Sequence, residues 1–147
     1  MNIKSFFKNT IALGLVIGTL SSCDKEEIIP STELPSEIQT YISTHFPNNP
    51  IIQSIKDRDG LKKSYDITLE GSFVLEFDNK NKITEIDGIS KLPDSVIPQS
   101  LREYVTTNYP LNFITDWELD DNNQQIELDN TLELEFTISG EFLKIDN

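Results

Sequence analysis

A chain of 147 residues with 25 Asp and Glu against 12 Lys and Arg carries a formal net charge of −13. It cannot neutralise phosphates, which argues against nucleic-acid binding. One Cys excludes an internal disulfide, one His with one Cys makes a poor zinc site, and the length allows one ordinary domain or two very small ones.

The first 22 residues are arranged as a secretory signal. Lys4 and Lys8 precede an apolar run from Ile11 to Leu20, and small residues follow it. The run is shorter than the roughly 20 residues a spanning helix needs. Leu20-Ser21-Ser22-Cys23 resembles the lipobox of bacterial lipoproteins, in which the Cys thiol accepts a diacylglycerol and becomes the first mature residue. Cys23 is therefore the expected lipid attachment point. The expected location is the outer membrane, as a lipoprotein facing either the periplasm or the cell surface. The Asp24-Lys25-Glu26-Glu27 run that follows resembles a surface-export tag. Removing residues 1–22 takes away Lys4 and Lys8 and no acid, so the mature formal charge is −13 − 2 = −15 on 147 − 22 = 125 residues. Residues 23–33 are expected to be a lipidated, flexible tether.

From residue 34 the chain repeats itself. Leu34-Pro35 through Phe46-Pro47 matches Ile97-Pro98 through Tyr109-Pro110 at an offset of 63. Ile67, Leu69, Leu75-Glu76-Phe77, Ile83 and Ile86 match Ile126, Leu128, Leu134-Glu135-Phe136, Phe142 and Ile145 at an offset of 59. Each unit, 34–90 and 91–147, opens with a segment whose apolar residues (Ile38, Tyr41, Ile42 and Phe46 in the first) lie on one helical face. Ser36 with Gln39, and Ser100 with Glu103, have capping-box spacing. Pro47 and Pro110 stop the helices.

The rest of each unit alternates with period two, as half-buried antiparallel strands do. Ile67 and Leu69 oppose Asp66, Thr68 and Glu70; Phe73, Leu75 and Phe77 oppose Val74, Glu76 and Asp78; Leu132, Leu134 and Phe136 oppose Glu133, Glu135 and Thr137. Ile83 and Ile86 break the alternation, which predicts a bulge in the last strand of each unit. The fold class expected is α+β, a helix plus up to four antiparallel strands made twice, with one continuous sheet and both helices on one face. The open face would carry Thr68, Glu70, Glu76, Asp78, Glu127, Asp129, Glu133 and Glu135 as a candidate partner-binding surface.

The pattern Leu-Pro-x2-Ile-x2-Tyr-Ile-x3-Phe-Pro, with Tyr65-Asp-Ile-x-Leu69 and Leu75-Glu-Phe-Asp78, resembles the PepSY-like, beta-lactamase-inhibitor-like family of small secreted or lipidated bacterial proteins. The second unit departs from it in lacking a Tyr at the strand start and in placing Asn130 where Gly71 stands. The resemblance implies a concave sheet that grips a partner and supplies no catalytic residue.

The residues themselves also point away from an enzyme. His45 ends a helix where the second copy has Asn108, and Trp117 and Tyr104 have core spacing. Asp57-Arg-Asp59-Gly60 begins like a calcium loop, but its twelfth position is Thr68 where an EF-hand needs Glu. Neither a cofactor nor a bound metal is expected. The expected function is a non-enzymatic envelope binding module: anchored to the membrane by its lipid, and presenting an acidic sheet face to a protein or peptide partner, with a cationic one favoured by steering. Inhibition of a secreted hydrolase and binding of calcium or another cation are the alternatives.

Overall fold

The computed structural model describes residues 25–59, 62–120 and 122–146. The signal segment and Cys23 lie outside the described residues. The elements run β1 (Glu27–Ile28), a 3-10 turn (Ser31–Glu33), α1 (Ser36–His45), β2 (Ile51–Asp59), β3 (Lys62–Leu69), β4 (Phe73–Phe77), β5 (Ile83–Asp87), α2 (Gln99–Asn108), β6 (Ile114–Leu119), β7 (Asn123–Leu128), β8 (Glu133–Thr137) and β9 (Phe142–Asp146). All nine strands form one antiparallel sheet in sequence order, β1 to β9. A helix followed by four strands thus occurs twice.

Period-two burial builds the sheet. The face of Tyr65, Ile67, Leu69, Phe73, Leu75, Phe77, Ile86, Trp117, Ile126, Leu128, Leu134 and Phe136 is buried against Ile38, Ile42, Leu101 and Val105 of the two helices in one core cluster. Each such side chain contributes about 1.5–3 kcal/mol by leaving water. Trp117 and Gln124 are a polar exception inside this layer. The indole N–H donates to Gln124 Oε1 at 3.1 Å, and Gln124 Nε2 donates to the carbonyls of Thr137 and Ile138. The buried amide is thereby satisfied on both sides.

The last strand of each unit is bulged, as the broken alternation predicts. Glu76 pairs with Glu85 but Phe77 with Ile83, leaving Thr84 extra. Glu135 pairs with Lys144 but Phe136 with Phe142, leaving Leu143 extra. Two further register shifts, at Ile51/Gln53 and Ile114/Asp116, begin the first strand after each helix.

Two expectations are corrected. The capping boxes do not form. Pro35 and Pro98 are the N-cap residues and make no side-chain cap bond, so Ser36 already lies inside α1 and donates to Glu37, while Gln39 Nε2 donates to the carbonyl of Leu34 at 2.7 Å. Nor is the segment before residue 34 only a tether. Glu27 and Ile28 pair with Lys56 and Ile55, Ile29 N–H donates to the Ser54 carbonyl at 2.9 Å, and Ile29 and Leu34 are buried. Backbone pairing to an open sheet edge requires no hydrophobic period, so the sequence carries little sign of it.

The turns that return β4 to β5 and β8 to β9 share a left-handed residue, Asn81 (φ 60°) and Gly140 (φ 89°). Asn tolerates that conformation and most residues do not. At Gly140 a Cβ would also collide with the Ser100 side chain in the first turn of α2. Gly140→Ala should therefore lower the unfolding free energy by about 1–3 kcal/mol, while Asn81→Gly changes it little. Denaturant melts of both variants check this. Equal effects would show that the contact with Ser100 does not constrain the turn.

Candidate functional site

The open face of the sheet collects carboxylates because alternation sends every second residue there and the helices cover the other side. Register then sets them side by side. One row runs Asp66–Glu76–Glu85–Glu118 across β3 to β6, and continues Gln125–Glu135–Lys144 to β9. The adjacent row runs Thr68–Val74–Asp87–Asp116–Glu127–Glu133–Asp146. Like charges directly opposite one another destabilise a sheet.

Among the described residues, neutralisation on this face is confined to the β7–β9 end. There Lys144 Nζ reaches Glu135 at 3.0 Å and Asp146 at 3.2 Å, and Gln125 Nε2 donates to Glu133 at 2.9 Å. Asn123 Nδ2 donates to Glu135 as well. None of the ion pairs found among the described residues reaches the carboxylates of β3 to β6.

Burial and crowding consequently raise the proton affinity of the central carboxylates. Burial first, then the charges of Glu85, Asp87, Glu127 and Glu118, push Asp116 up to about 8. Burial, then Glu76, Glu118 and Asp87, push Glu85 up to about 7. The contact between Glu85 and Glu76 adds to the rise at Glu85 and partly offsets the rise at Glu76. Burial and neighbouring acids also raise Asp66, Glu76, Glu118 and Glu127.

Of the residues expected on this face, Thr68, Glu76, Glu127, Glu133 and Glu135 lie on it in strands. Glu70, Asp78 and Asp129 lie instead in turns. The Glu70 carbonyl accepts from Asn49 Nδ2, Asp78 Oδ1 accepts the N–H groups of Lys80 and Lys82, and Asp129 Oδ1 accepts from Asn112 Nδ2 and the Phe113 N–H. They end the strands, where alternation no longer dictates a face. The expected set also lacks the centre of the array: Asp66, Glu85, Asp87, Asp116 and Glu118. Asp66 is in phase with Thr68 and was legible by alternation. Glu85 and Asp87 follow a bulge, and β6 begins with one, so phase counting fails there.

The other residues considered for chemistry are structural. His45 Nδ1 meets Ser95 Oγ at 2.9 Å and its ring packs 4.5 Å from that of Tyr41, tying α1 to the segment ahead of α2. Trp117 is buried, and Tyr104 packs between Phe136 and Phe142. Two concavities flank β2, and neither is lined by a titratable side chain. Among the described residues no three Asp, Glu, His or Cys side chains are gathered closely enough to hold a metal ion.

The raised carboxylates set the sign of the pH dependence. Between the ordinary value, 3.8 for Asp and 4.5 for Glu, and the raised one, the native chain binds more protons than the unfolded chain. Stability therefore falls as pH rises from about 4 to about 8. Asp116→Asn should flatten that fall and raise stability at pH 8 by about 1 kcal/mol, a figure discounted for solvent screening. Thermal melts from pH 4 to pH 8 test this, and a stability that rises with pH would refute it.

The comparisons with known proteins agree with this fold. The family model described as "Putative beta-lactamase-inhibitor-like, PepSY-like" matches residues 20–85 and again 63–144. A "putative calcium-regulated periplasmic protein" from Bacteroides thetaiotaomicron is similar in structure, with a TM-score of 0.78 at 31% identity over 83% of this chain and 97% of that one. A "putative periplasmic protein" from Bacteroides vulgatus gives 0.77 at 34% identity, over 83% and 97% of the two chains. A second protein of that organism, of unknown function, gives 0.76 at 28% identity over 84% and 99%. No curated protein matches in sequence. With two family matches that together span most of its length, the chain belongs to the PepSY-like, beta-lactamase-inhibitor-like family.

Proposed function

We propose that the protein is a non-enzymatic binding module of the bacterial envelope whose open sheet face holds a cationic protein or peptide. One observation carries this reading: the cross-strand carboxylates of β3 to β6 oppose one another with no ion pair to a cation among the described residues. A ligand that brings ammonium or guanidinium groups relieves that repulsion, and charge-assisted hydrogen bonds to carboxylates are the stronger kind. Binding then competes with the protons that Glu85 and Asp116 retain, so affinity should rise with pH towards 8. The periplasmic relatives support a secreted location. The lipobox-like Leu20-Ser21-Ser22-Cys23 supports attachment to the outer membrane through Cys23, facing either the periplasm or the outside. The two matches of the family model support descent from a doubled unit.

A fluorescent oligolysine peptide is a suitable probe. Glu85→Gln with Glu118→Gln should weaken its binding about tenfold or more. Glu33→Gln with Glu37→Gln, which removes two carboxyl groups from outside the sheet, should change it less than about twofold. Equal losses would mean that net charge, not this face, holds the peptide.

A second reading follows from the calcium-regulated relative, in which calcium itself occupies the acidic face. Thermal melts with millimolar calcium separate the two, because only the calcium reading expects a stabilisation that Asp116→Asn and Glu127→Gln abolish. Anchoring is tested separately. Cys23→Ser should release the protein from the membrane fraction and abolish incorporation of labelled fatty acid, and retention of either would remove the lipid attachment.

A further inference from the structure

The β9 edge of the sheet is unfinished on its apolar side. A single cross-strand row runs through the core layer as Ile67–Leu75–Ile86–Trp117–Ile126–Leu134–Ile145. Every member is buried except the last, which is 43% exposed. Phe142 and Leu143 on the same strand are 37% and 47% exposed. Its counterpart in the first unit, β5, is the fourth strand after a helix and carries the same bulge, yet Ile86 there is fully buried. The difference is the next strand: β6 pairs with β5 through Glu85↔Glu118, Ile86↔Trp117 and Asp87↔Asp116, whereas among the described residues no strand lies beyond β9. The opposite edge, β1, is only two residues long. Short edges resist association and long apolar ones invite it.

The charges on β9 indicate what completes it. Lys144 and Asp146 flank Ile145 and point to the open face, beside Glu135 and Glu133. Two copies of β9 laid antiparallel about a two-fold axis through Ile145 set Lys144 opposite the partner's Asp146, Asp146 opposite the partner's Lys144, and the two Ile145 side chains against each other. That register keeps apolar residues on the covered face and charges on the open one. Centring on Lys144 would instead set two ammonium groups opposite each other. The paired stretch is three residues, the same length as the β5–β6 junction, and its facing charges are opposite where those of β5 and β6 are alike.

We propose that a second copy of this chain covers the β9 edge, joining two sheets by strand addition in a two-fold dimer. The interface is separate from the carboxylates of β3 to β6 and leaves that face open in both copies.

Sedimentation of the chain from residue 23, with Cys23→Ser, tests this. The expected result is a monomer–dimer equilibrium by about 100 μM. Lys144→Glu leaves only acids on this edge and Asp146→Lys only bases, so each alone should associate at least tenfold more weakly. An equimolar mixture of the two should recover the dimer, which a misfolded variant would not do. Hydrogen exchange on the unmodified chain gives an independent readout, since the outward β9 amides should become protected as concentration rises. A monomer at about 100 μM with unprotected β9 amides overturns the proposal. So does a dimer indifferent to both substitutions, or a mixture of two folded variants that stays monomeric.

Discussion

Three residue pairs between β5 and β6 make one sheet of this chain. On the covered side of that junction Ile86 meets Trp117, both buried, and Trp117 is held by a buried amide from β7. On the open side the same three pairs force Glu85 against Glu118 and Asp87 against Asp116. The apolar pair and the backbone bonds hold together what the carboxylates push apart. If the junction opened, each half would be a helix and a few strands of about 60 residues, a size at which a single core is marginal. Continuity of the sheet also makes the carboxylate rows continuous, so the junction that stabilises the fold concentrates its charge.

The electrostatic consequence is local rather than global. A formal charge of −13 spread over a surface would be screened within about 8 Å at physiological salt. Cross-strand neighbours are closer than that, and partial burial weakens the screening further. Proton retention by Glu85 and Asp116 is the protein's own relief of the repulsion, and a cationic ligand offers another. At the β7–β9 end the relief is already supplied by Lys144, Asn123 and Gln125. Among the described residues the sheet therefore has a neutralised end and a centre whose carboxylates meet no cation.

Much of this architecture is legible in the residues. Alternation at Ile67–Leu69, Phe73–Phe77 and Leu132–Phe136 assigns faces without any coordinates, because a strand has a period of two and one side must leave water. The same counting fails at strand ends and across bulges. It assigns Glu70, Asp78 and Asp129 to a strand face when their polar groups close turns. It leaves out Glu85 and Asp87, which follow the extra residue Thr84, and Asp116, which follows the shift at the start of β6. Strand β1 escapes for a different reason: it is held by backbone pairing and one buried Ile, and two residues display no period.

The amino-acid order by itself determined the helix-and-strands grammar, the side of each strand that is buried, the bulges in β5 and β9, and the acidity of the uncovered face. These follow from local spacing, since burial and backbone geometry act on neighbours along the chain. Tertiary structure alone decided which carboxylates stand beside which, because lateral neighbours are set by register between strands far apart in sequence. It also decided that Ile86 is buried and Ile145 exposed. The two residues occupy matching positions in matching patterns, and they differ only in whether another strand lies beside them.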